Sequence, residues 1–173
     1  MRLEILYKSG KYYILRPRIN FLDYDNNYNS GIIMAASSIL LPILVQISLT
    51  LIMFLLLGVR KTKAMKAGGV DRKKTALNNS AWPEDVVKVS NNIANQFQTP
   101  VLFYIISILF YLTNQVSLTV LVLAWIYSGT RIIHSFIHAG SNFVPARFLV
   151  FTLGVICLIA MTIIAFINMP ITL

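Results

Sequence analysis

Along most of this chain apolar residues do not alternate with polar ones; they run together. Four stretches stand out. They are IIMAASSILLPILVQISLTLIMFLLLGV from Ile32 to Val59, ANQFQTPVLFYIISILFYL from Ala94 to Leu112, VSLTVLVLAWIYSGTRIIHSFI from Val116 to Ile137, and FLVFTLGVICLIAMTIIAFI from Phe148 to Ile167. The second is polar in its first turns. A helix of about 20 apolar residues crosses a bilayer core of about 30 Å. The period-two pattern of a membrane β-barrel is absent, so helices are the route that satisfies the backbone in lipid. Stretches two and three are separated only by Thr113, Asn114 and Gln115, and stretches three and four by HAGSNFVPAR. Neither connection is long enough for a crossover. The pattern predicts an all-α membrane protein, an up-down bundle of four transmembrane helices.

Composition sharpens this reading. Hydrophobic residues make up 57% of the chain and charged residues 12%, about half the charged share of a soluble domain. The mean hydropathy is +0.70. The formal charge of +9 would suggest nucleic acid in a soluble protein. Here the basic residues flank apolar runs, which reads as topology, and no nucleic-acid partner is expected. Arg60, Lys61, Lys63, Lys66, Arg72, Lys73 and Lys74 crowd the first connection. The positive-inside rule makes that connection cytosolic, puts Arg131 and Arg147 on the same side, and sends both termini to the opposite face. A single cysteine, Cys157, excludes an intrachain disulfide and reads as a buried thiol.

The N-terminal tail, 1–33, fits the topology poorly, because it puts five basic residues on the outer face. It lacks the apolar core of a signal peptide. Two readings stand: translation begins at Met34, or the tail is a genuine extension without a legible role. The membrane domain is 34–173 in either case.

Candidate chemistry gathers at the basic ends of the helices. Tyr127, Arg131, His134 and His138 fall on one helical face of the third span. Asn91, Asn95 and Gln98 recur at the same spacing at the start of the second, with Asn92 and Gln96 beside them. Arg147 opens the fourth. After Asp85 the chain has no Asp or Glu, so no carboxylate in these spans can neutralise Arg131 or Arg147. A buried unpaired guanidinium costs several kcal/mol, and the arginine fork matches a carboxylate or phosphate. The expectation is one pocket of guanidinium, imidazole, phenol and amide groups that takes an anionic, peptide-like molecule. Competing readings are an Arg131 that snorkels to the headgroups, an Asn/Gln stripe that only bonds helix to helix, and a metal on the HxxxH pair. The metal reading is disfavoured by two ligands, no carboxylate and a neighbouring cation, so no metal site is expected. No GxSxG elbow, Walker loop or paired carboxylate is present.

The stretches WPEDVVKVSNNIANQFQTPVLFY (Trp82 to Tyr104) and AWIYSGTRIIHSFIHAGSNFVPARF (Ala124 to Phe148) carry a family likeness. From about Met34 onward the chain resembles the membrane-associated proteins of eicosanoid and glutathione metabolism, the MAPEG family, in its bacterial form. The resemblance implies a homotrimer in a bacterial inner membrane, with glutathione bound between subunits. It implies that Arg147 stabilises the glutathione thiolate and is the catalytic residue. Asn91, Asn95, Gln98, Tyr127, Arg131, His134 and His138 would bind the cofactor. The substrate would be a lipophilic electrophile or a lipid hydroperoxide, reached through the membrane lipid. The reaction would be glutathione transfer or peroxide reduction. Two positions depart from the family pattern: Asn91 stands where its enzymes carry arginine, and Gln98 where they carry glutamate. Phe148 and Phe151 replace polar residues after the catalytic arginine. The alternative is therefore a non-catalytic lipid-binding or scaffold protein of the same fold. A third reading is a sensor of anionic lipid that uses the same basic pocket.

Overall fold

The computed structural model describes residues 3–9, 12–17 and 35–168. The chain divides into two compact units, Met1–Gly31 and Ile32–Leu173. In the first, strands β1 (Leu3–Ser9) and β2 (Tyr12–Pro17) pair antiparallel, Leu3 opposite Pro17 and Ser9 opposite Tyr12, with a shift of register between Ile5 and Tyr7. No element was expected here. The segments LEILYKS and YYILRP are rich in the isoleucine and tyrosine that favour strands. Met34, the alternative start, lies outside the described residues.

In the second unit a 3-10 turn, Ala36–Ile39, leads into α1 (Leu40–Lys66). Pro42 sits in the first turn, where a missing N–H costs nothing. At about 1.5 Å per residue α1 is about 40 Å long, longer than a bilayer core of about 30 Å. Its last turns carry Arg60, Lys61, Lys63 and Lys66, so part of the expected basic connection is helical. The short α2 (Arg72–Leu77) follows, its first turn capped by the Asp71 carboxylate, which accepts from the Lys73 and Lys74 amides at 2.9 and 3.2 Å. Then come α3 (Glu84–Gln96), α4 (Thr99–Leu112), α5 (Leu118–Ala139) and α6 (Val144–Asn168). Glu84 and Asp85 open α3 at the end where negative charge complements the helix dipole. Ser117 caps α5 by accepting from the Val120 amide at 3.3 Å. Four helical segments are long and apolar enough to cross a membrane, 36–66, 84–112, 118–139 and 144–168.

The second of these differs from the continuous span expected over Ala94–Leu112. It begins ten residues earlier and breaks at Phe97 and Gln98. Pro100 is the cause. It brings no N–H to the Gln96 carbonyl and its ring crowds that position, so α3 stops and α4 restarts with Pro100 in its first turn. Asn91 and Asn95 therefore belong to one helix, and Gln98 stands just before the next without a side-chain bond to its first turn. The stripe read at i, i+4, i+7 is not one continuous face.

The main core fills the half of the bundle away from the basic connection. Phe103 and Phe110 of α4, Val120 and Ala124 of α5, and Met161 of α6 are almost wholly buried there, with Ile39 below α1. Gly154 of α6 lets α5 come close, because a Cβ at that position would sit 2.8 Å from the Thr130 hydroxyl. The basic half has a smaller apolar cluster of Met53, Val89, Ile93 and Ala139. It is held instead by polar links. Arg60 donates to the Asp85 carbonyl at 2.6 Å and the Ala139 carbonyl at 3.0 Å, tying the end of α1 to the start of α3 and the end of α5.

Candidate functional site

α5 turns a polar face inward. Tyr127, Arg131, His134 and His138 are all buried, as the helical spacing predicts. Tyr127 stacks on Phe103 with ring centroids 4.4 Å apart, and its hydroxyl lies 3.2 Å from that of Thr99. Arg131 is 1% exposed, which rules out the snorkelling reading for this side chain. Its Nη2 donates to the Asn95 carbonyl at 3.2 Å, and its guanidinium lies over the Phe151 ring at 5.8 Å. That carbonyl belongs to the last turn of α3, where the helix break leaves acceptors short of donors. A cation there also complements the negative end of the helix dipole. Arg131 thus serves the kink of the second span. Its Nε and Nη1 have no partner among the described residues.

Arg147 forms a second cluster. It lies half-buried in the first turn of α6, the end of a helix where a cation is least welcome. Nη1 donates to the Asn142 side-chain oxygen and approaches His138 Nε2 at 3.4 Å. Asn142 holds a left-handed backbone with φ 55°, a conformation that asparagine tolerates better than most residues, and its amide donates back to the Ile137 carbonyl at 2.7 Å. The turn between α5 and α6 is thereby set so that Arg147 faces the end of α5. Since arginine only donates, His138 accepts through Nε2 and carries its proton on Nδ1. His134 Nδ1 lies 3.3 Å from the Arg147 carbonyl, so its proton sits on Nδ1 and Nε2 is a free acceptor. Among the described residues His138 Nδ1 and His134 Nε2 have no partner. The two arginine clusters therefore leave Arg131 Nε and Nη1 and His138 Nδ1 as spare donors, and one spare acceptor. An acceptor-rich anion suits that set.

The amides separate from this picture. Asn91 and Gln98 are exposed on the single chain, and Asn95 is half-buried and contributes its backbone carbonyl. The expected single pocket is not assembled by one chain: Asn91 and Gln98 do not meet Arg147. The buried amides are instead their neighbours. Gln46 Nε2 donates to Gln96 Oε1 at 2.7 Å, and Gln96 Nε2 donates to Ser135 Oγ at 2.8 Å and to Asn92 Oδ1 at 3.3 Å. This network joins α1, α3 and α5, so hydrogen-bond glue exists, carried by Asn92 and Gln96. Gln46 and Asn142 went unnoticed in the sequence. Both had a signal: Gln46 is the one amide in the first apolar stretch, and Asn142 is the one carboxamide in the turn before Arg147. Among the described residues no three or more His, Cys, Asp or Glu side chains come together as a metal site would need. The two histidine rings meet edge to face at 5.6 Å, each engaged with Arg147.

The family model described as MAPEG family matches residues 39–167. The chain belongs to the MAPEG family. No curated protein and no solved structure matches it. With its four helices of spanning length, this MAPEG chain is an integral membrane protein. The matched region contains every candidate site residue and leaves out the N-terminal tail.

Proposed function

We propose that this MAPEG protein is a glutathione-dependent transferase or peroxidase acting on lipophilic electrophiles or lipid hydroperoxides. The observation that carries the reading is Arg147. A half-buried cation is held at the entrance of α6 by Asn142 and His138, in a chain without a carboxylate after Asp85. Its natural complement is a bound anion. A free thiol has a pKa of about 8.5, and an adjacent guanidinium lowers it by about one unit, raising the thiolate fraction several-fold at neutral pH. Arg147 acts by electrostatics, since it does not give up its proton.

Glutathione supplies the sulfur nucleophile, which forms a C–S bond to an electrophile or, used twice, reduces a hydroperoxide to alcohol and water while becoming the disulfide. His134 and His138 orient the ligand through Nε2 and Nδ1. Asn91 and Gln98 lie on the outer surface of a single chain, so they enter the site only from a neighbour, which supports a homotrimer with sites between protomers. The setting is a bacterial inner membrane with the basic connection cytosolic, and substrate arrives laterally from the lipid.

One observation favours a second reading, a non-catalytic binding or scaffold protein. Arg131 is enclosed and engaged with the α3 carbonyl, a structural occupation for a residue that the first reading assigns to the ligand.

The test is a thermal melt of detergent-purified protein with and without millimolar glutathione, beside Arg147→Ala. Ligand at 100 times its dissociation constant stabilises by about 2.7 kcal/mol, which moves a melt by a few degrees. The expected result is an upward shift in the wild type that the variant loses, followed by turnover in transferase or peroxidase assays. No shift at saturating glutathione leaves the second reading standing.

A further inference from the structure

The four basic residues at the end of α1 divide into two pairs. Arg60 turns toward the bundle and donates to the Asp85 and Ala139 carbonyls. Lys61 lies over the Trp82 ring, its Nζ 4.9 Å from the centroid. Both have occupations within the chain. Lys63 and Lys66 do not. They are exposed and, among the described residues, neither has an acidic partner; the ion pairs there join Lys74 to Asp71 and Lys88 to Glu84. Their positions on the helix differ correspondingly. At about 100° per residue Lys66 stands above Leu55, Val59 and Thr62, with Lys63 on the same side and Arg60 turned away.

That outward face is a shallow, open groove of about 550 Å³ formed by α1 alone, lined by Phe54, Leu55, Gly58, Val59, Lys63 and Lys66 together with Thr62. Its floor is apolar and open: Leu55 is 72% and Val59 65% exposed. Gly58 makes the notch, since a Cβ built there would meet nothing within 4 Å. Thr62 contributes no free donor, its hydroxyl being bonded to the Gly58 carbonyl at 2.9 Å. From Lys66 the groove follows the helix for about 16 Å, and its apolar floor, Val59 to Phe54, takes up about 8 Å of that, roughly half of one leaflet of a core about 30 Å thick. The groove therefore runs from two unpaired ammonium groups onto the outer part of an apolar wall.

The geometry points to a binding site for an anionic phospholipid on the outer face of α1, its phosphate between Lys63 and Lys66 and an acyl chain in the notch at Gly58. The charge is complementary, since a zwitterionic headgroup offers the lysines no net attraction. The apolar depth requires a lipid, not a free phosphate. This site is separate from the Arg131 and Arg147 clusters, and it stands whether or not glutathione binds.

Native mass spectrometry of the detergent-purified full chain tests it, with phosphatidylglycerol and phosphatidylcholine supplied in equal amounts. Wild type retains phosphatidylglycerol in preference. The double variant Lys63→Gln, Lys66→Gln loses about 25-fold in phosphatidylglycerol affinity, about five-fold per lysine, and keeps its phosphatidylcholine affinity; the factor per lysine corresponds to about 1 kcal/mol of attraction to an anionic surface. Gly58→Leu, which improves helix propensity, weakens both lipids by filling the notch. Equal retention of the two lipids by the wild type overturns the proposal, as does an unchanged preference in the lysine variant. Competition by excess inorganic phosphate would reduce the site to a phosphate site and also overturn it. A change of oligomeric mass in Gly58→Leu would show that a second copy of the chain covers this face, with the same consequence.

Discussion

The two halves of the bundle are held in different ways. Away from the basic connection, Phe103, Phe110, Val120 and Met161 fill the space between helices. From the middle of the bundle to its basic end the helices meet through Gln46, Gln96 and Ser135 and then through Arg60 and the two arginine clusters, and several of these polar groups keep an unmet donor or acceptor. Lipid is as apolar as leucine, so neither half gains from hydrophobic transfer between helices; close packing and hydrogen bonding carry the association. The contrast teaches where function can be accommodated. Among the described residues the apolar half keeps one unpartnered buried polar atom, the Ser107 hydroxyl, whereas the polar side keeps six, on Gln46, Asn92, Arg131, His134 and His138.

The comparison is broken most severely from the packed side. Phe103→Ala removes a fully buried ring stacked on Tyr127 and is expected to destabilise by about 3 kcal/mol or more, read as an earlier transition in denaturant unfolding. The apolar half should lose more from this cavity than the polar half loses from any one hydrogen bond. A smaller effect has the opposite sign. Arg131→Met removes a buried charge without a counter-ion and retains much of the volume, so the ligand-free protein is expected to become more stable by about 1–2 kcal/mol. A melt lower than wild type would mean that the bond to the Asn95 carbonyl outweighs the cost of burying the charge. The smallest effect is Gln96→Leu. Interhelical hydrogen bonds in membranes average about 0.6 kcal/mol, so losing the links to Gln46 and Ser135 should cost about 1 kcal/mol by unfolding titration. A cost equal to that of Phe103→Ala would erase the distinction between the halves.

What could be read from the sequence divides along the same line. The four spans, their short connections and the inward face of α5 follow from length and period, and those signals are strong because lipid tolerates few alternatives. The kink was written at Pro100, but a proline inside an apolar stretch announces a break without saying which carbonyls it frees or what fills the gap. Arg131 fills it, which no spacing rule links to Asn95. The amide stripe was assigned to Asn91, Asn95 and Gln98, whereas Asn92 and Gln96 face inward. One residue is a rotation of about 100° on a helix, and a polar run that fits two adjacent faces does not choose between them until Gln46 and Ser135 are opposite. The turn at Asn142 depends on a left-handed residue and on the end of a preceding helix, both tertiary facts.

The double hydrogen bond of Arg60 also imposes an order on biosynthesis. α1 leaves the ribosome first, α3 next and α5 later, since translation runs from the N-terminus. Arg60 can meet the Asp85 carbonyl as soon as α3 has formed, but the Ala139 carbonyl does not exist for it until the third span has entered the membrane. The guanidinium of Arg60 is thus half-engaged until α5 arrives, when its second bond ties α1 to α5.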